Sequence, residues 1–97
     1  MNKIDTILIQ LKTERKLLQK TFGVKRIGVF GSYVRNEQKK KSDLDILVEF
    51  STTPGMFKFL ELEDHLTKKL GVKVDLVMKS ALKPYIGQQI LKEVLYV

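Results

Sequence analysis

The run Asp43–Phe50, DLDILVEF, is the clearest strand in the chain and limits its folding choices more than any other stretch. Successive side chains of a strand point to opposite faces. Leu44, Ile46, Val48 and Phe50 therefore make one continuous apolar face, while Asp43, Asp45, Leu47 and Glu49 point the other way. The segment VKVDLVM repeats this logic: Val72, Val74, Leu76 and Met78 share one side, and Lys73, Asp75 and Val77 the other. Both segments need a core on one side only.

The remaining segments supply that core. Between Asn2 and Phe22, the residues Ile4, Ile7, Leu8, Leu11, Leu18 and Phe22 fall near one helical face, with Asn2 a candidate cap and Gly23 a stop. KRIGVFGS reads as a short strand ending at Gly31-Ser32. One or two helical turns are expected from Tyr33 to about Glu37, then the polar loop QKKKS. STTPG breaks the chain before a second amphipathic helix, Met56 to Leu70, which turns Phe59, Leu62, Leu66 and Leu70 inward and ends at Gly71. Pro84 opens a last helix running towards Val94. The order α-β-α-β-α-β-α, without repeats or a long linker, predicts one domain over residues 1–97. Its class is α/β (α+β), a small mixed three-stranded sheet flanked by helices.

Composition removes several function classes. The chain has 97 residues and no cysteine, which excludes disulfides, thiolate metal sites and a cysteine nucleophile. No run approaches the ~20 apolar residues of a membrane span, and the N-terminus lacks the pattern of a signal peptide. A cytoplasmic address and no membrane association are expected. The net charge of +7 suits an anionic partner such as nucleotide, nucleic acid or an acidic protein surface; a lysine-rich solubilising surface explains it equally well.

The candidate chemistry lies where polar residues interrupt the strand pattern. Asp43 and Asp45, two apart on one strand, point to the same side near a loop. Magnesium takes one or two protein carboxylates and fills its shell with water and substrate phosphates. Asp75 occupies the corresponding face of the third strand and joins the pair if the strands are neighbours. Three carboxylates on one patch repel unless cations neutralise them. Gly31-Ser32 supplies the second half of the site: glycine lets a phosphate approach the backbone, the serine hydroxyl can donate, and Arg35 adds a fork of charged donors. Each feature alone has an ordinary structural explanation, such as a turn, a capped strand end or an exposed face. Gly-Ser, ten residues and Asp-x-Asp together have a chance probability on the order of 10⁻⁵ per window.

GSYVRNEQKKKSDLDILVEF resembles the signature of the DNA polymerase β-like nucleotidyltransferase superfamily, and the closing VDLVMKSALKPYIGQQILKEVLYV makes the chain similar to its minimal, MntA-type members. The resemblance spans about Lys25 to Val97. It implies that Gly31 and Ser32 hold a nucleoside triphosphate, favouring ATP. Asp43 and Asp45 would ligate two Mg2+ ions, and Asp75 would help ligate one and activate the acceptor hydroxyl. It further implies transfer of AMP to a tyrosine of a HEPN-type helical partner, the chain acting as antitoxin in a hetero-oligomeric toxin–antitoxin pair. A catalytically silent subunit that masks its partner by contact, and an enzyme that modifies nucleic-acid ends, are the alternatives. One departure is visible: Arg35-Asn36 stands where relatives commonly carry Arg-Gly, and asparagine tolerates the left-handed turn this requires.

Weaker features are expected to be structural. His65 lies among charged residues and should face solvent. Lys39, Lys40 and Lys41 read as a solvated loop. Phe57, Phe59, Leu60 and Leu62 read as core with some face left for a partner, and Tyr85 and Tyr96 as packing residues.

Overall fold

The computed structural model describes residues 3–97. Helix α1 (Lys3–Phe22) buries Ile7, Leu11, Leu18 and Phe22, with Ile4 and Leu8 half-buried on the same stripe. Its expected cap, Asn2, lies outside the described residues. Gly23 ends the helix with φ +67°, its N–H donating to the Gln19 carbonyl at 3.2 Å.

Strand β1 (Val24–Phe30) pairs antiparallel with β2 (Leu44–Phe50), and β2 pairs parallel with β3 (Val74–Met78). Parallel neighbours need a crossover. Helix α2 (Met56–Leu70) provides it, burying Leu62, Leu66 and Leu70 and ending in Gly71 at φ +71°. Helix α3 (Pro84–Glu93) then leads into β4 (Leu95–Tyr96), which pairs antiparallel with the free edge of β1.

The sheet over the described residues is therefore four-stranded, in the order β3-β2-β1-β4, and not three-stranded as the alternation pattern predicts. Two residues are too few to display an alternation, and they directly follow a helical pattern. Gly28 is what admits the extra strand. A Cβ there would lie 2.7 Å from the Leu95 carbonyl oxygen and 2.9 Å from a Val94 methyl.

A second difference follows β1. In place of one or two helical turns, a single 3-10 turn covers Gly31–Tyr33, and the chain swings away through Asn36 at φ +57°. Asparagine does adopt the left-handed conformation expected of it.

The even face of β2 packs with Ile27, Val29, Val74 and Leu76 against α1 and α2 to form the main core. On the opposite face Phe30, Leu47 and Ile90 make a smaller cluster, closed by Val77, Leu82, Val94 and Tyr96. Helices thus cover both faces, but α3 covers its own only partly. Asp75, two positions before Val77 on β3, is exposed.

Four side chains depart from expectation. His65 is wedged between α1 and α2, its ring 5.6 Å from that of Phe22 and Nε2 3.3 Å from a Glu14 carboxylate oxygen. Its charged sequence neighbours conceal that it shares a face with the apolar stripe. Tyr85 is 88% exposed, because the buried side of α3 is formed by Gly87 and Ile90. Phe57 is 89% exposed and Leu60 half so, whereas Leu62 is fully buried and Phe59 partly. Tyr96 does pack, with the Arg26 guanidinium 3.7 Å above its ring.

Candidate active site

The end of β1 and the start of β2 are built around one another. In the antiparallel register Phe30 faces Asp45, so Gly31 meets the Asp45 side chain as the chain leaves the sheet. Gly31 has φ +82°, and a Cβ at this position would run into the Asp45 carboxylate. The glycine is required twice, for the turn and for room.

The parallel register makes Asp45 and Asp75 direct cross-strand partners. Neighbouring strands lie about 4.8 Å apart, so the two carboxylates stand side by side on one face. Asp43 precedes β2 and is half-buried. The lysine loop leading to it is tied by two hydrogen bonds: the Lys39 N–H donates to Ser42 Oγ at 2.8 Å, and the Ser42 N–H donates to the Lys39 carbonyl at 3.0 Å. Lys39, Lys40 and Lys41 are exposed, as expected of a solvated loop.

These neighbours change the chemistry of Asp45. Burial, then the charge of Asp75, then that of Asp43 push its carboxyl up to about 6, against a partial counterweight from Arg35 and a further push from Glu93. Charging Asp45 at neutral pH is thus opposed by its surroundings, and a bound cation would relieve the opposition. Among the described residues, no three acidic, histidine or cysteine side chains already converge as a metal cage. The donor set is nonetheless all carboxylate oxygen on one patch, which fits a hard cation such as magnesium.

The second half of the site holds a residue that sequence reasoning missed. Glu93, at the last position of α3, accepts a hydrogen bond from the Gly31 N–H at 2.8 Å. Both of its oxygens lie 3.0 Å from Nη1 of Arg35. Arg35 also reaches Glu37, with Nε 3.2 Å from Oε1. The hydrogen bond and then the charge of Glu93 hold the exposed Arg35 guanidinium still more firmly protonated than usual. Ser32 is half-buried in the turn, its carbonyl accepting the Glu37 N–H at 2.8 Å. The only local signal for Glu93 is an acid in the last turn of a helix, where the dipole disfavours it.

The structure thus gathers Gly31, Ser32, Arg35, Asp43, Asp45 and Asp75 at one end of the sheet. A depression of about 320 Å³, lined by Glu49, Phe50, Thr53, Met78 and Lys79, belongs to the opposite end of β2 and contains none of them. The carboxylate patch is open, and its outermost member, Asp75, is accessible to a large molecule.

Residues 8–97 match the model of the nucleotidyltransferase domain family. The chain is 53% identical over 97 residues to the protein adenylyltransferase MntA of Thermococcus cleftensis, covering all of this chain and 95% of that one. Among solved structures, a minimal nucleotidyltransferase superimposes with a TM-score of 0.81 at 33% identity, covering 95% of this chain and 93% of the other. A toxin–antitoxin structure with AMP-PNP contains a chain matching with a TM-score of 0.73 at 29% identity, over 88% of this chain and 69% of that chain. A Shewanella oneidensis complex of a tri-AMPylated HEPN toxin with its MNT antitoxin matches with a TM-score of 0.62 at 25% identity, over 90% and 70% of the two chains.

Proposed function

The chain belongs to the nucleotidyltransferase domain family, and on that premise we propose that it transfers AMP from ATP to a tyrosine hydroxyl of a HEPN-type partner protein, as the antitoxin of a toxin–antitoxin pair. The observation that carries this reading is the cross-strand pairing of Asp45 with Asp75 directly beside the Gly31 turn. Nucleotide phosphates and acceptor can meet there on one open face.

In this reading Gly31 and Ser32 bind the triphosphate through the backbone N–H and the hydroxyl, and Arg35 adds charged donors for its outer phosphates. Asp43, Asp45 and Asp75 would hold magnesium, in two ions. When bound, these supply the positive charge that offsets the phosphate oxygens on both sides of the displacement. The acceptor oxygen forms a bond to the α-phosphorus while the bond from that phosphorus to the bridging oxygen breaks, releasing pyrophosphate. The proton of the acceptor hydroxyl passes to a carboxylate oxygen of Asp75. Asp75 is the most exposed of the three acids and therefore the one that an incoming hydroxyl meets.

The openness of the patch suits an acceptor that arrives on another protein. The test is incubation with ATP labelled at the α-phosphate, magnesium and the HEPN-type partner, beside the Asp43→Asn/Asp45→Asn double variant. Label on the partner, lost in the variant, is the expected result. Label on RNA would move the assignment to nucleic-acid modification. No transfer by either protein while the partner still binds would replace catalysis with masking by contact.

A further inference from the structure

We propose that Glu93 is a built-in occupant of the phosphate subsite, holding the Gly31 N–H and the Arg35 guanidinium in place of a nucleotide phosphate until the nucleotide displaces it. This rests on reading the Gly31–Ser32 turn as the triphosphate site. It adds a competitor for that site and a link from the site to the C-terminal segment.

The geometry places one anion where another is expected. A carboxylate and a phosphate use the same donors, and here the Gly31 N–H at 2.8 Å and Arg35 Nη1 at 3.0 Å converge on one carboxylate. A backbone N–H carries one hydrogen, directed at one acceptor at a time. While Glu93 is seated, Gly31 has nothing to offer a phosphate oxygen. Sharing is disfavoured too, because Glu93 would stand as an uncompensated negative charge beside a polyanion and near Asp45.

The position of Glu93 in its helix argues in the same direction. An acid in the last turn of a helix opposes the helix dipole, so the residue is not there for the helix. Its long-range partners, Gly31 and Arg35, lie 62 and 58 positions away in the chain. The helix that carries it is lightly held, burying only Gly87 and Ile90. The residues after it are anchored: Val94 and Tyr96 pack on the smaller cluster, Val97 packs on the main core, and the Val97 N–H donates to the Ile27 carbonyl at 3.0 Å. Releasing Glu93 therefore loosens the last turn of α3 and leaves the main core between the sheet, α1 and α2 intact.

Two measurements decide the matter. Calorimetric titration of AMP-PNP with magnesium into wild type and Glu93→Gln should show the variant binding about two- to fivefold more tightly, the scale of a part-exposed charged pair. Hydrogen exchange of the wild-type backbone amides over the last turn of α3 should quicken when AMP-PNP is added. The second experiment needs no variant and decides alone if Glu93→Gln fails to fold. Equal or weaker binding by a folded Glu93→Gln would overturn the proposal and make Glu93 a positioning residue for the turn. Unchanged wild-type exchange in the presence of bound nucleotide would overturn it as well. If neither protein binds AMP-PNP, the reading of the turn as a nucleotide site fails first, a result separable from both others.

Discussion

Replacing Asp45 by asparagine should make the metal-free protein more stable while abolishing its chemistry. The Asp45 carboxyl moves from 3.8 to about 6 on folding, chiefly because it is partly buried and stands beside Asp75 and Asp43. A raised carboxyl pKa means that the folded protein holds this proton more tightly than the unfolded chain does. Folding stability therefore falls as pH rises from about 4 to about 6, and the loss is complete above that. Two pKa units at 1.36 kcal/mol each set a ceiling of about 3 kcal/mol. Asp45 is only half-buried, so solvent screening reduces the figure to about 1–1.5 kcal/mol. Asparagine has nearly the same shape and no charge to confine. Urea unfolding followed by circular dichroism, with chelator present, should show Asp45→Asn more stable by that amount at pH 7.5. At pH 4 the difference should close. Adding magnesium should narrow it at pH 7.5 from the wild-type side, because a ligand that binds the native state stabilises it by mass action. A variant less stable than wild type at pH 7.5, or a gain that persists unchanged at pH 4, would refute the electrostatic argument.

Other substitutions probe the framework around the site. Gly31→Ala places a Cβ against the Asp45 carboxylate at a backbone angle that alanine resists, so it should cost at least ~1 kcal/mol in thermal unfolding and eliminate transferase activity. Gly28→Val should force β4 off β1, seen as rapid exchange of the Val97 amide while α1 and α2 remain protected. Leu66→Ala removes a fully buried side chain from the main core and should destabilise by about 2–5 kcal/mol in denaturant titration.

The legible parts of the fold were those whose signal is periodic. Helix α2 runs from Met56 to Leu70 as its apolar stripe predicts, and the two faces of β2 separate as its alternation requires. The carboxylates stood out only in combination: each acid alone fits an exposed strand face, and it is the fixed spacing from Gly31-Ser32 to Asp43 and Asp45 that singled them out. Strand β4 was illegible because two residues carry no period and their partner surface is created by a glycine 67 positions earlier, Gly28 beneath Leu95. Glu93 was missed for a related reason. Its partners, Gly31 and Arg35, become neighbours only when α3 folds over the second face of the sheet. Tyr85 shows the limit of residue type as a guide: an aromatic ring was read as packing, yet its helix buries a different side.

The antiparallel pairing of β1 with β2 changes what the ten-residue interval between Gly-Ser and Asp-x-Asp means. Read along the chain, that interval is a ruler. In the folded molecule the ruler is the ladder itself, which sets Phe30 opposite Asp45 whatever the length of the loop between them. Slack in an exposed loop has little energetic consequence, since closure entropy grows only slowly with length. A slip of one rung would instead turn Asp45 into the core and Leu44 out to solvent. Residues inserted among the exposed lysines 39–41 would therefore leave the two halves of the site aligned. Such a slip would destroy that alignment and preserve every motif letter.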